Sequence, residues 1–164
     1  SPLPDVAPGD AGLDLVYQIV ASRVGKPEVR AAARAWLTER ISKAGAEPWV
    51  QAWCHAALGR SLIRESAEAQ RWLGVIEMLH LPSRFARVSP YLAGMSLAEA
   101  SAALRQLGDA AGADALRSEL HAEYKGHPVL DWEPVRARRA DPAPGGSSPQ
   151  TPAASDRRPD PNPR

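Results

Sequence analysis

Two segments of the chain begin alike. Pro48-Trp49 and Pro90-Tyr91 each set a proline ahead of an aromatic residue, and the two openings lie 42 residues apart. Each is followed by about four turns of alanine- and leucine-rich helical pattern, then by a second amphipathic helix. A proline at the first helical position has its φ already set for the helix and lacks only an N–H that would have had no partner. Helix pairs recurring every ~34–47 residues are the mark of α-solenoids, because one pair cannot bury its apolar face alone. The repetition predicts an all-α fold, an α-solenoid of about three antiparallel helix pairs over residues 13–44, 48–79 and 90–124. Other helical repeats and a plain helix bundle share the pattern.

The helices follow from stop and start signals. Leu13, Val16, Tyr17, Val20 and Val24 fall at helical spacing, and Gly25 ends that run. Pro27 starts a second helix carrying Val29, Ala33, Trp36, Leu37 and Ile41 on one face, with Gly45 as its end. The helix from Pro48 is apolar on two sides, with Val50, Cys54, Leu58 and Leu62 on one and Trp49, Trp53, Ala56 and Ile63 on the other. That predicts a helix held between neighbours. A fourth helix runs from about Ala67 to Leu79 and is expected to stop at Pro82, leaving 83–88 as a loop. Ser89 reads as an N-cap before Pro90, Gly108-Asp109 as a turn, and Ala113, Leu116, Leu120 and Tyr124 as the inner face of the sixth helix. The expected core is Val16, Val20, Trp36, Leu37, Leu58, Leu62, Leu73, Ile76, Leu97, Leu104, Leu116 and Leu120.

The ends differ in composition. Residues 1–10 hold three prolines and read as an extended arm or linker. Residues 11–135 read as the helical-repeat domain, with Leu130 and Trp132 expected to fold back on the last helix pair. Residues 136–164 read as a disordered, proline-rich tail. From Ala140 onward there are seven prolines and no large apolar residue, too little to offset ~1–2 kcal/mol of ordering entropy per residue. The first residue is Ser1, so a processed product or a piece of a longer chain is expected.

Composition bounds the function. A net charge of +1, with no interleaved aromatics along a basic stripe, argues against nucleic acid as a partner. The longest apolar run, Trp72 to Leu79, is too short to span a membrane and carries Glu77. A single cysteine, Cys54, excludes an intrachain disulfide. Only three of the twenty basic residues are lysine, which together with the abundant alanine suggests a GC-rich genome.

Several of these residues match a family pattern. Leu58-Gly59 with Leu62, Leu104 followed by Leu107-Gly108-Asp109, Ala113 at the next helix, and the ending Tyr124-Lys125-Gly126-His127-Pro128 together resemble the tetratricopeptide repeat (TPR). That ending is similar to one common in bacterial repeats. The resemblance covers about 80 residues. His55 stands where the family prefers tryptophan, Lys125 where a proline closes the repeat, and Arg117 where a large apolar residue belongs. It implies stacked helix pairs with a right-handed superhelical twist, and a protein or peptide as partner.

No catalytic constellation accompanies this pattern. Cys54 and His55 are neighbours on a helix and point about 100° apart, so they cannot pair, and Cys54 lies on an apolar stripe. Glu77-x-x-His80 has the spacing of half a carboxylate di-iron site but lacks a second half, and reads as a solvated face. His121 and His127 show no zinc spacing with cysteine. The expectation is a non-enzymatic protein-interaction module with no cofactor and no metal. Its partner-binding surface would be Trp53, Arg60, Ile63, Arg64, Met95, Ala98, Arg105 and Gln106, where arginine forks and a tryptophan suit an acidic peptide. The alternative is a constitutive structural subunit, or a domain appended to a larger complex or enzyme. It would dock through its outer faces and the arm, with the loop Arg84-Phe85-Ala86-Arg87 and Trp132 as anchors.

Overall fold

The computed structural model describes residues 11–43 and 45–132; the expected arm 1–10 and tail 136–164 lie outside the described residues. The fold is all-α, with no strand among the described residues. Its helices are α1 (Ala11–Val24), α2 (Pro27–Ser42), α3 (Pro48–Leu62), α4 (Glu68–His80), α5 (Pro90–Gln106) and α6 (Ala110–Glu123). Each helix packs on the next in the chain, and α1 touches α3 as α3 touches α5. The odd-numbered helices thus meet in series.

Prolines and glycines punctuate this order as their chemistry requires. Pro27, Pro48 and Pro90 each occupy the first turn of a helix. Gly108 ends α5 at φ +88, with Asp109 N–H on the Leu104 carbonyl at 3.0 Å and Gly108 N–H on the Arg105 carbonyl at 3.2 Å. That paired closure needs a left-handed residue, which glycine supplies without a Cβ clash. Asp109 then caps α6, its carboxylate accepting from Gly112 N–H at 2.8 Å. Ser89 stands at the N-cap of α5 but makes no capping bond with its side chain.

α4 departs from the sequence expectation. It does not stop at Pro82; the chain continues helically as a π turn over Leu81–Phe85. An α-helical Pro82 would leave the Met78 carbonyl without a donor and press its ring on it. Here Leu81 N–H bonds the Met78 carbonyl instead, and the wider turn makes room for the ring. Phe85, expected in a loop as a docking anchor, is buried with Leu81, Ala52, Ala56, Leu92 and Ala93.

The core contains Leu37, Leu58, Leu62, Leu97, Leu104 and Leu120 as expected, with Trp36 and Leu116 half-buried at its edge. Val16, Val20, Leu73 and Ile76, also expected inside, are exposed. α1 turns Leu15, Ile19, Ala21 and Ser22 inward instead. Its contact with α3 runs through small residues: Ser61 Oγ donates to the Ser22 carbonyl at 2.7 Å. α4 faces α3 through Gly74 and Met78 and buries Val75 with Ala100, Ala103 and Leu104 of α5, which leaves Leu73 and Ile76 outward. On α3, Val50, Cys54, Leu58 and Leu62 pack toward α1 and α2, whereas the opposite side buries Ala52 and Ala56 and leaves Trp49 and Trp53 exposed.

After α6, Gly126 at φ +81 returns the chain to α5, where a 3₁₀ turn over Pro128–Asp131 buries Val129 among Leu97, Ala98 and Leu120. The His127 ring fastens this return. Its Nδ1 accepts from Val129 N–H at 3.0 Å, so Nε2 carries the proton and donates to the Tyr91 carbonyl at 3.0 Å. The ring lies over Gly94, where a Cβ would come within 2.7 Å of it.

Two glycines bring α3 and α4 into backbone contact. A Cβ on Gly59 would lie 2.7 Å from Met78 Cγ and 2.9 Å from the Gly74 carbonyl; one on Gly74 would lie 2.7 Å from Ile63 N and 2.9 Å from the Gly59 carbonyl. Alanine is normally the better helix former by ~1 kcal/mol. Gly59→Ala is nevertheless expected to destabilise by ~1–3 kcal/mol through overpacking, and Leu97→Ala by ~2–5 kcal/mol through a cavity. Urea unfolding of both variants against the parent chain measures this; a Gly59→Ala as stable as the parent would mean that the helices do not meet here.

Candidate functional site

Arginines close the last turns of the odd helices: Arg23 in α1, Arg60 in α3 and Arg105 in α5. A cation there offsets the partial negative charge of the helix C-terminus. Because the odd helices meet in series, their ends open on a shared groove of about 620 Å³. Arg23, Arg60, Ile63, Arg64, Arg105, Gln106, Arg117 and Trp132 line it, with Glu99 and two alanines. Five arginines face one carboxylate on its walls.

The groove unites part of the predicted surface. Arg60, Ile63, Arg64, Arg105 and Gln106 come together there, whereas Trp53 lies outside it and is exposed elsewhere on α3. Ala98 is 1% exposed and Met95 packs against the same cluster, so both face the core. Helical periodicity alone did not fix which side of α5 turns outward. The arginine-rich groove gains two members that sequence spacing did not select, Arg23 and Arg117, and an aromatic wall in Trp132. Arginine enrichment in the last helical turn was the available signal for Arg23; Arg117, in the middle of α6, had none.

Not every arginine is available. Arg60 Nε donates to Glu99 Oε2 at 2.7 Å with both side chains 18% exposed, and Arg105 Nη2 donates to Asp114 Oδ1 at 2.7 Å. The first pair holds α3 to α5 and the second α5 to α6. Arg23 and Arg64 are exposed and pair with no carboxylate among the described residues. They are the groove's accessible forks for an anion.

A second group of polar side chains gathers between α3 and α4. Glu77 and His80 were expected on a solvated helix face. Instead Glu77 Oε2 sits 2.7 Å from Nδ1 of His55, which is buried, and the His55 and His80 rings lie 4.6 Å apart at 41°. Phe85 of the π turn covers the His55 ring at 5.6 Å. Burial, then the proximity of His55, holds the His80 imidazole below its usual pKa; Glu77 acts in the opposite sense, and Arg84 again lowers it. The spacing Glu77-x-x-His80 was visible in the sequence. The third member was not, because its position depends on how α3 registers against α4.

Cys54 belongs to neither group. It is fully buried on the apolar stripe facing α1 and α2. Burial pushes its thiol up to about 11, with Arg40 lowering it by less. Only the thiolate is nucleophilic, so native Cys54 should be inert at pH 8. A disulfide reagent is expected to label the folded chain at least about a hundredfold more slowly than the chain in denaturant; equal rates would place the thiol at the surface.

No helix among the described residues is long and apolar enough to cross a membrane. Compared with models of known families, with curated proteins and with solved structures, the chain matches none.

Proposed function

We propose that this chain is a protein-interaction module, a TPR-like array of helix pairs that holds an acidic peptide in the arginine groove at the ends of α1, α3 and α5. The observation that carries the reading is the groove's lining, five arginines against Glu99 with Trp132 and Ile63 as apolar wall. Arg23 and Arg64 would fork onto carboxylates of the peptide, and Trp132 would supply anchor area. The serial contacts of α1, α3 and α5 are those that stacked helix pairs would make.

The macrodipole accounts for one cation at each helix end but not for Arg64, which lies beyond the last residue of α3 and pairs with nothing described. A fluorescent Asp/Glu-rich peptide with a free C-terminal carboxylate tests the reading by anisotropy. Reversing Arg23 and Arg64 to glutamate is expected to weaken binding by about tenfold or more, and raising salt to weaken it further. Trp53→Ala should leave affinity unchanged. Equal affinities for the parent and the folded double reversal would remove the groove as the site.

One observation favours a second reading, a subunit docked constitutively through an outer face. Leu13, Val16, Val20 and Val24 form a continuous apolar stripe on α1, and each is between 39% and 71% exposed. An uncovered stripe of this kind marks an interaction surface. If it is constitutively covered, the isolated chain should self-associate in light scattering as concentration rises, and Val16→Glu with Val20→Glu should restore a monomer. A monomer at every concentration favours the transient groove binder.

A further inference from the structure

We propose that His55, Glu77 and His80 form a binding site for a divalent zinc-class cation between α3 and α4. This site is separate from the arginine groove and does not depend on it. One donor atom from each of the three residues lies within 4.8 Å of the other two. Metal–ligand bonds of about 2.0–2.2 Å place such atoms roughly 3–4 Å apart. The longest separation therefore contracts by about an ångström. The 2.7 Å contact between His55 Nδ1 and Glu77 Oε2 opens as the cation replaces the shared proton.

Three features of the surroundings favour a cation over a plain hydrogen bond. His80 and Glu77 are three residues apart on α4 and so share one face, which presents both to a single point opposite α3. The His80 ring makes no hydrogen bond with another described residue, so no other group claims its nitrogens. His55 is closed in by Phe85, with its side chain 5% exposed, whereas Glu77 is 25% exposed. The site is therefore shut on one side and open to water on the other, and three protein ligands plus one water complete a tetrahedral shell. Two imidazoles and one carboxylate suit zinc, nickel or copper rather than calcium or magnesium, which require oxygen ligands. Arg84 is the opposing charge nearby; its guanidinium is held over the Phe85 ring, 5.6 Å from the centroid. The π turn begins at the residue after His80.

The test uses the full chain, stripped with a chelator and desalted, then titrated with Zn²⁺ in competition with a chromophoric chelator. Binding at one ion per chain is expected, with a dissociation constant below about 10 µM, the affinity of a three-ligand site. Free Zn²⁺ a hundredfold above that constant should raise the melting temperature by about 5–10 °C. His80→Gln and Glu77→Gln lie at partly exposed positions and should remain folded. Each is expected to weaken binding by about a hundredfold or more and to abolish the thermal shift. His121→Ala, at an exposed histidine away from the cluster, should bind as the parent does. Absence of one-to-one binding, or a folded His80→Gln that binds as tightly as the parent, would overturn the site and assign any residual affinity to surface histidines.

Discussion

The backbone contact of α3 with α4 at Gly59 and Gly74 is the constraint on which the middle of the molecule depends. Two helices whose side chains interlock keep their axes apart by the bulk of those side chains. Here the carbonyl of each glycine occupies the space that the other's Cβ would need. The antiparallel register then has no freedom to slide. One turn before Gly59 on α3 stands His55, and one turn after Gly74 on α4 stands Glu77. The register that seats the glycines therefore sets the imidazole against the carboxylate at 2.7 Å. In the other direction it lays Ile63 on Gly74. That fixes where α3 ends and so where Arg60 and Arg64 enter the groove.

What the sequence made legible follows the same division between local and non-local causes. Helix starts at Pro27, Pro48 and Pro90, and the turn at Gly108-Asp109, depend on φ and on missing or orphaned N–H groups, which are properties of single residues. All of these were readable. The inward face of α1 was not. Leu13, Val16, Val20 and Val24 also recur at helical spacing, but α1 packs through Leu15 and Ile19 on the core beside Val50, Cys54 and Leu58, and toward its end through the small Ala21 and Ser22, where Ser61 of α3 comes close. Where helices meet through small residues, the bulky stripe is left on the outside, and periodicity selects the wrong side. The same cause turned Leu73 and Ile76 outward, because Gly74 and Met78 took the contact.

Pro82 shows a signal read correctly but given the wrong consequence. A proline does break the α-helical ladder at Met78, yet a helix has a wider turn available as well as a stop. Its cost is offset here by the burial of Leu81 and Phe85. The outcome is that Phe85 covers His55 instead of pointing from a loop into solvent. A local rule named the residue at which something must change. Whether the chain turned away or widened depended on a hydrophobic site 30 residues earlier, at Ala52 and Ala56.

The arginines divide into those the fold uses and those it leaves over. A single cation at a helix C-terminus contributes about 0.3–1 kcal/mol, mostly within the last turn. Arg60 and Arg105 fulfil that role and also tie adjacent helices through Glu99 and Asp114. Their charge is thereby neutralised; Arg23 closes the last turn of α1 in the same way but pairs with no carboxylate among the described residues, and Arg64 lies beyond the end of α3. Adding Arg64 and Arg23 to the same concave wall brings like charges together, which opposes folding unless screened. Within the groove the carboxylate side is represented by Glu99, already engaged with Arg60. The charge of Arg23 and Arg64 is thus unpaired with any carboxylate among the described residues, and a ligand that brings carboxylates would relieve repulsion as well as form new bonds. Under the proposed function, peptide affinity would draw on both terms. For that reason Arg23 and Arg64, rather than the carboxylate-paired Arg60 and Arg105, should govern it.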